Sequence, residues 1–382
     1  MAIYLSLFLL ATLGLFFTGI FGNKSLNNFF IFGIFAALVI VSGTRYHLGG
    51  YDYENYLYFF QQTPDLANLD VWGQIQQNGL FGNDTGFLIL NAVIKSLGFN
   101  FYGFTLIVAA FFWLSIYFTV KPYLTNMGLL AVLVFYKYFL DVSFIYMRQS
   151  IAVAIFLWAL QALLKKRWCL YFPIVIFAAM VHFSAVILIP VYFINHVRLT
   201  RKGVLIFTII FALSYVVTLA HINILQYMSF VGSFLGGTGA EKFGDAANGP
   251  GYGDSSLVSS LFHLAEFLLV DGLLLANWQR VEEAGPRQLL AVKLFLILLP
   301  LYSIFANSSI MVRDGFYFLF TYAVVIDLVT RKSDLTKRLL VYTAFVLVCF
   351  YGMFRFATHF DDGASSRYVS YLSLHQSIRE GQ

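Results

Sequence analysis

Apolar residues in this chain come in long blocks that polar residues interrupt only at intervals. Blocks of about 17 to 25 residues recur from end to end, as helices that cross a bilayer require. The pattern predicts about 11 to 12 transmembrane helices. The candidate spans are 2–22, 27–43, 101–120, 127–146, 148–164, 170–194, 203–220, 257–277, 288–306, 313–330 and 338–357. Segment 86–98 is shorter and carries Lys95, which predicts a re-entrant or interfacial helix.

Composition supports this interpretation. Of the 382 residues, 60% are hydrophobic and 11% are charged, whereas a soluble domain has about a quarter charged residues. We therefore predict an all-α polytopic integral membrane protein with one transmembrane domain, 1–382. The net charge of +5 does not indicate nucleic acid, since Lys and Arg mark the cytoplasmic loops of membrane proteins. Cys169 and Cys349 lie in apolar segments and predict neither a disulfide framework nor a metal site.

The basic loops predict the orientation. Clusters at 165–167, 197–202 and 331–338 are expected on the cytoplasmic side. Two polar insertions and a tail are then expected outside, at 44–100, 221–256 and 358–382. The glycine-rich part of the second insertion could be a mobile lid or a linker.

Segment 170–194 conflicts with this orientation. Basic loops flank it on both sides, yet a single span would place them on opposite faces of the membrane. It could be a hairpin of two short helices that turns near "VHFS", 181–184, or one ordinary span with a basic outer loop.

Isolated arginines converge on the predicted outer face. Snorkelling, or pairing with aspartates such as Asp52, would explain any single one. A charge near the hydrocarbon is costly, however, and several at one face favour an anion-binding cavity. Guanidinium suits that role because it stays charged and binds phosphate with two hydrogen bonds. The candidates are Arg45, Arg148, Arg313, Arg355 and Arg367.

Aromatic residues accompany these arginines. Tyrosine rings can pack on the C–H faces of sugars, although some will belong only to an interfacial aromatic belt. The sugar-binding candidates are Tyr46, Tyr51, Tyr53, Tyr56, Tyr368 and Tyr371.

His263 and Glu266 are three residues apart on a predicted span and could form a proton relay or part of a metal site. The HExxH pattern is absent, so the sequence gives metal little support.

Several of these segments resemble the EpsG-like branch of the Wzy polysaccharide polymerases. "GTRYHLGGYDYENYLYFF" resembles that family's R-x(n)-G-x-D-Y-x-x-Y signature, here Arg45, Gly50, Asp52, Tyr53 and Tyr56. "MRQSIA", with Arg148 and Gln149, resembles its RQ-x-x-A segment. "HFSAVILIP", with His182, Ser184 and Pro190, resembles its H-x-S-A segment. "RDGFYFLF" and "RYVSYLSL" resemble its late elements. The resemblance covers roughly residues 35–375.

The resemblance implies a reaction and its partners. Such polymerases join oligosaccharide repeat units carried on undecaprenyl pyrophosphate, at the periplasmic face of the bacterial inner membrane. They resemble GT-C-type glycosyltransferases that work without a metal or other cofactor. The implied partners are the lipid-linked donor and acceptor, membrane lipid and a chain-length regulator protein, without nucleic acid.

The leaving pyrophosphate gains negative charge, which cations must stabilise. We assign this role to Arg148 and Arg313, with Arg45 and Arg355 as next candidates. His182 is the favoured base and Asp52 an alternative, with Glu266 third; His182 could instead be a packing residue.

Two other functions compete with the polymerase: a ligase acting on the same glycan and a flippase for the same lipid. A flippase should carry charges along a path across the membrane, whereas these charges cluster at one face.

Overall fold

The computed structural model describes residues 1–21, 24–78, 84–220, 222, 224–227, 244, 257–360 and 367–373. The helices of the N-terminal part are α1 (Ala2–Phe21), α2 (Lys24–Gly43), α3 (Gly50–Gln62), α4 (Val71–Asn78), α5 (Thr85–Ser96), α6 (Phe101–Val120), α7 (Met127–Leu133) and α8 (Met147–Leu164). Those that follow are α9 (Trp168–Val181), α10 (Val191–Ile194), α11 (Arg201–Leu219), α12 (Ile224–Tyr227), α13 (Leu257–Ala276), α14 (Trp278–Glu282), α15 (Pro286–Tyr302), α16 (Ser309–Arg313), α17 (Phe320–Thr330) and α18 (Leu335–His359).

The described residues confirm an all-α polytopic membrane protein. Five helical segments are long and apolar enough to cross a membrane: Phe101–Tyr123, Met147–Leu164, Arg201–Leu219, Leu257–Ala276 and Leu335–His359. Shorter apolar helices accompany them. The total of about 11 to 12 spans stays a prediction.

The chain divides into two compact units. The first comprises Met1–Val71, Gly86–Trp158 and Ser333–Gln382, and the second comprises Trp72–Thr85 and Ala159–Lys332. The first unit therefore combines segments from both ends of the sequence.

Small residues allow helices of the first unit to approach closely. A Cβ on Gly43 of α2 would lie 2.8 Å from the Cα of Leu106 in α6, and one on Gly128 of α7 would lie 2.3 Å from the Cα of Leu15 in α1. The Thr105 hydroxyl donates to the Gly43 carbonyl at 2.9 Å. Close packing around small residues, with polar side chains bonded across the interface, is how helices associate in a bilayer.

The predicted span 127–146 is not one helix. Helix α7 ends at Leu133, turns follow, and a π-helix occupies Tyr138–Val142. Phe135, Tyr138 and Phe139 are almost completely buried in this stretch. Irregular backbone is tolerated at membrane depth only where protein covers it, and this burial meets that condition.

The predicted span 313–330 is also interrupted. Helix α16 ends at Arg313, a 3₁₀ turn covers Asp314–Tyr317, and α17 begins at Phe320. Every residue of α17 is buried, so this segment is enclosed by protein.

Segment 170–194 is a hairpin, which decides between the two alternatives. Helix α9 ends at Val181, His182 is extended, and a 3₁₀ helix at Phe183–Leu188 leads back through α10. The Tyr171 hydroxyl donates to the Leu188 carbonyl and the Tyr192 hydroxyl donates to the Lys166 carbonyl, both at 2.7 Å. The two basic loops that flank the hairpin therefore lie at the same end of the second unit.

This chain reversal gives a labelling prediction. In a background without Cys169 and Cys349, cysteines at positions 166 and 202 should react with an impermeant thiol reagent only after the cells are lysed. The reason is that both positions lie in basic loops, which are expected on the cytoplasmic side. A cysteine at position 241, which lies outside the described residues, should react in intact spheroplasts. Reaction of 166 and 202 from opposite sides would contradict the hairpin, and labelling of 241 only after lysis would contradict the orientation.

Candidate functional site

Arg45 lies where α2 ends, and its side chain is almost completely buried, with 1% exposed. Its Nε donates to the Leu48 carbonyl and its Nη2 to the Phe144 carbonyl, both at 3.1 Å, and its Nη1 donates to the Ser42 carbonyl. The guanidinium also lies over the rings of Tyr53 and Phe144, at 5.5 and 5.4 Å. Burial lowers the pKa of Arg45 to about 10, so the side chain is still a cation at neutral pH. Its contacts join the end of α2 to the turn before α8.

The glycine pair after Arg45 permits this arrangement. Gly49 has φ +137° and Gly50 has φ +61°, conformations that residues with a side chain rarely adopt. A Cβ on Gly49 would lie 2.4 Å from the Phe144 carbonyl oxygen, the same atom that accepts from Arg45. Gly49 therefore allows the loop to approach the backbone that Arg45 holds.

The tail pairs with the same loop. The Tyr46 amide donates to the Val369 carbonyl and the Tyr371 amide donates to the Thr44 carbonyl, both at 2.9 Å, around an isolated antiparallel bridge from Arg45 to Ser370. The Thr44 hydroxyl lies 2.9 Å from the Tyr368 hydroxyl. The described part of the tail, 367–373, is thus attached to the beginning of the first polar insertion.

Tyrosines form a partly exposed aromatic patch beside this bridge. The ring of Tyr102 lies 6.1 Å from Tyr46 in a stacked arrangement and 4.8 Å from Tyr371. All three side chains are half-buried. This aromatic patch, defined as Tyr46, Tyr102 and Tyr371, offers ring faces of the type that pack on sugars.

Arg148 is the second residue of α8, and its side chain is half-buried. Its guanidinium lies 5.6 Å from the centre of the Tyr56 ring and also hydrogen-bonds the Tyr56 side chain. Burial raises the pKa of the Tyr56 phenol, the Arg148 charge opposes that shift, and the nearby Asp52 carboxylate adds to it. Asp52, Tyr56 and Arg148 thus form one charged cluster.

The amino end of α8 adds positive potential to this cluster. The aligned peptide dipoles of a helix give its amino end a partial positive charge, and helix amino ends attract phosphate groups for this reason. A cation at that end of a helix is electrostatically unfavourable for the helix itself. Arg148 and the amino end of α8 therefore place two sources of positive charge close together.

The second unit holds a separate hydrogen-bonded group. The Ser184 hydroxyl lies 2.9 Å from the Tyr317 hydroxyl and also hydrogen-bonds the Asp314 carboxyl. Tyr317 and Asp314 are buried. Either hydroxyl of the Ser184–Tyr317 pair could be the donor, and Ser184 links Tyr317 to Asp314 in one hydrogen-bonded chain. Arg313 interacts electrostatically with Asp314, and the half-buried His182 lies just before the 3₁₀ turn that carries Ser184.

The predicted site residues thus fall into two groups. The first unit brings together Arg45, Asp52, Tyr53, Tyr56, Arg148 and Tyr368. Tyr46 and Tyr371 meet in the aromatic patch, while Arg355 and Arg367 belong to the same unit and are exposed. His182 and Arg313 belong to the second unit. The side chain of Tyr51 lies outside the described residues, as does the glycine-rich loop 232–254 apart from Gly244.

Sequence reasoning missed several residues of these groups. Tyr102 joins the aromatic patch from α6, and Gly49 precedes the matching glycine of the signature. Tyr317 and Asp84 are buried and interact electrostatically in the second unit. Gly49 and Tyr317 carried a signal, because each lies in a quoted family segment, "GTRYHLGGYDYENYLYFF" and "RDGFYFLF". Tyr102 and Asp84 had none beyond residue type.

His263 and Glu266 do pair, with the His263 Nδ1 3.1 Å from the Glu266 carboxylate. Among the described residues, no group of three or more His, Cys, Asp and Glu side chains is arranged to hold a metal ion. Whether the reaction needs a metal stays a prediction.

Apolar helices with buried polar clusters define a polytopic membrane protein whose described units each hold arginine and tyrosine side chains. The chain belongs to the EpsG family, whose family model matches residues 28–373. No curated protein and no solved structure matches the chain. Membership confirms the family that the motifs resemble, and it suggests a polysaccharide polymerase with glycosyltransferase-like chemistry.

Proposed function

We propose that this protein joins oligosaccharide repeat units carried on undecaprenyl pyrophosphate into a polysaccharide. The reaction would take place at the periplasmic face of the bacterial inner membrane. Family membership supports the polymerase class. The observation that carries the site is the Arg148 guanidinium, held against Tyr56 at the amino end of α8.

The proposed chemistry is a glycosyl transfer. A hydroxyl of the acceptor sugar attacks the anomeric carbon of the growing chain, and the bond from that carbon to the pyrophosphate oxygen breaks. The electron pair leaves with the pyrophosphate, and the hydroxyl proton passes to a base. Positive groups placed where the leaving oxygen gains charge lower the barrier, and removing one such group typically costs about 100- to 1000-fold in rate.

Arg148 is proposed to bind the leaving pyrophosphate, with the end of α8 contributing. Its half-buried guanidinium can present N–H groups to a phosphate while Tyr56 orients it. Asp52 beside Tyr56 is proposed to orient the acceptor hydroxyl or to accept its proton.

Arg45 is proposed to position this cluster. Three backbone carbonyls occupy its nitrogens and its side chain is buried. It acts on the site by fixing the loop that leads to α3, where Asp52 and Tyr56 lie. The exposed Arg355 and Arg367 would attract the anionic substrate from solution.

Two further roles, proton transfer and additional positive charge, are proposed for His182 and Arg313 from the family motifs. Histidine is the most common general base in enzymes, so His182 remains the favoured base. Arg313 is the second candidate for stabilising the leaving group, and the Tyr317–Ser184–Asp314 chain would hold the segment that carries it.

Deletion of the gene tests the proposed function. The cell's surface polysaccharide should lose its ladder of chain lengths and keep a single repeat unit, because ligation and export of one unit do not need the polymerase. The wild-type gene should restore the ladder. Loss of all surface glycan would point to the flippase or the ligase, and an unchanged ladder would exclude all three functions.

A further inference from the structure

The second unit contains an apolar cavity apart from the groups described above. Its volume is about 530 Å³, and it lies between the returning leg of the hairpin, the first half of α11 and the middle of α15. The walls are formed mainly by Ile187, Val204, Phe207, Leu296 and Ile297. A cavity of this size with a few polar groups is typical of a site for a small amphiphilic ligand.

Cations gather on one side of this cavity. Arg198 and Lys293 line it, and Lys166 lies close enough to Lys293 for their charges to interact. The Lys293 ammonium donates to the Asn195 carbonyl at 2.8 Å, which holds it against the basic loop. Within the described part of the chain, these three cations form no ion pair with a carboxylate. The cavity thus has an apolar interior and a positive edge that no carboxylate of the described residues neutralises.

We propose that this cavity binds an anionic phospholipid of the surrounding bilayer. One acyl chain would occupy the apolar interior, and the headgroup phosphate would contact Arg198 and Lys293. The basic loop 197–202 places this edge at the cytoplasmic surface of the membrane, where anionic headgroups are available. Basic pockets between transmembrane helices on that side are known to hold such headgroups.

The charge and shape together select this class of ligand. A zwitterionic lipid would leave the positive edge uncompensated, and a free phosphate would leave the apolar interior unfilled. The headgroup edge is apart from the glycan chemistry, because His182 and Ser184 lie at the turn of the hairpin whereas Arg198 follows its returning leg.

Native mass spectrometry of the purified full-length protein can test the proposal. Phosphatidylglycerol and phosphatidylcholine with the same acyl chains would be titrated separately. The wild type should retain one phosphatidylglycerol at concentrations where phosphatidylcholine dissociates. Arg198→Gln should weaken this binding about fivefold, and the Arg198→Gln/Lys293→Gln double variant about 30-fold, as expected from the attraction of each basic residue.

Two further variants keep the test decisive. Ile297→Trp fills the apolar interior and should abolish binding while both cations remain. Lys202→Gln removes a neighbouring exposed cation that does not line the cavity, so it should bind like the wild type. Equal affinity for both lipids, or unchanged binding by Ile297→Trp, would overturn the proposal. So would competition by millimolar inorganic phosphate, which would indicate an anion site without a lipid chain. Displacement by a polyprenyl phosphate at a lower concentration would assign the cavity to the isoprenoid carrier instead.

Discussion

The Arg148→Ala variant is expected to extend polysaccharide chains about 100 to 1000 times more slowly than the wild type. In the proposed reaction, Arg148 meets the pyrophosphate as its charge develops, and this variant leaves that charge with one stabilising group fewer. The measurement is the rate of chain growth from lipid-linked repeat units, with purified protein in vesicles. Arg148→Lys should recover little of the rate, because an ammonium offers a point charge without the bidentate geometry of guanidinium.

A matched control is Arg201→Ala, which removes an exposed arginine from the first turn of another long helix, α11. It should polymerise at the wild-type rate. Wild-type activity of Arg148→Ala would remove Arg148 from the site, and full rescue by lysine would reduce its role to simple charge.

The wild-type protein should still extend polysaccharide chains in the same assay when excess EDTA is present. Loss of activity that Mg²⁺ restores would show that a metal supplies part of the positive charge.

The second large effect is expected from Gly49→Ala, which should destabilise the first unit by about 3 kcal/mol or more. A residue with a side chain at such a backbone conformation costs about 1 to 3 kcal/mol. The new Cβ would also lie 2.4 Å from the Phe144 carbonyl oxygen, which Arg45 holds in place. The loop would have to move, and Asp52 and Tyr56 would move with it. The melting temperature in detergent and the yield of folded protein should both fall.

Gly98→Ala is the control for this experiment. Gly98 also has a positive φ, +85°, but a Cβ there would meet nothing within 4 Å. It should therefore show only the backbone cost, about 1 kcal/mol. If the two variants have the same melting temperature, the close approach of Gly49 to Phe144 does not contribute to stability. If Gly49→Ala remains stable but inactive, the loop serves the site without supporting the fold.

The positions of the arginines illustrate how far sequence reasoning reached. Their isolation among apolar residues identified them as candidates, because a charge near the hydrocarbon needs a reason. The same residue type then found different surroundings in the fold. Arg45 is enclosed by carbonyl groups, Arg148 is half-buried beside a tyrosine, and Arg355 is exposed. Their individual roles stay proposals.

The sequence alone determined that this is a helical membrane protein with an unusual polar segment from Thr44 to Phe60. The hydrophobicity of a segment depends only on its own residues. A long apolar block therefore predicts a transmembrane helix without knowledge of the segments that pack against it. The family motifs are also local, each within a few residues, and the family match confirmed the family that they resemble.

Only the tertiary structure decided which distant segments meet. Arg45 bonds a carbonyl 99 positions away, and the hairpin depends on tyrosine hydroxyls that reach carbonyls 17 and 26 positions away. The broken segment 127–146 likewise depends on burial, since its π-helix lies among residues that other segments cover. Such contacts depend on how helices pack, and apolar helices of similar composition can pack in many ways. The physical reason is that insertion into a bilayer depends on average polarity, whereas the arrangement within it depends on particular close contacts and hydrogen bonds.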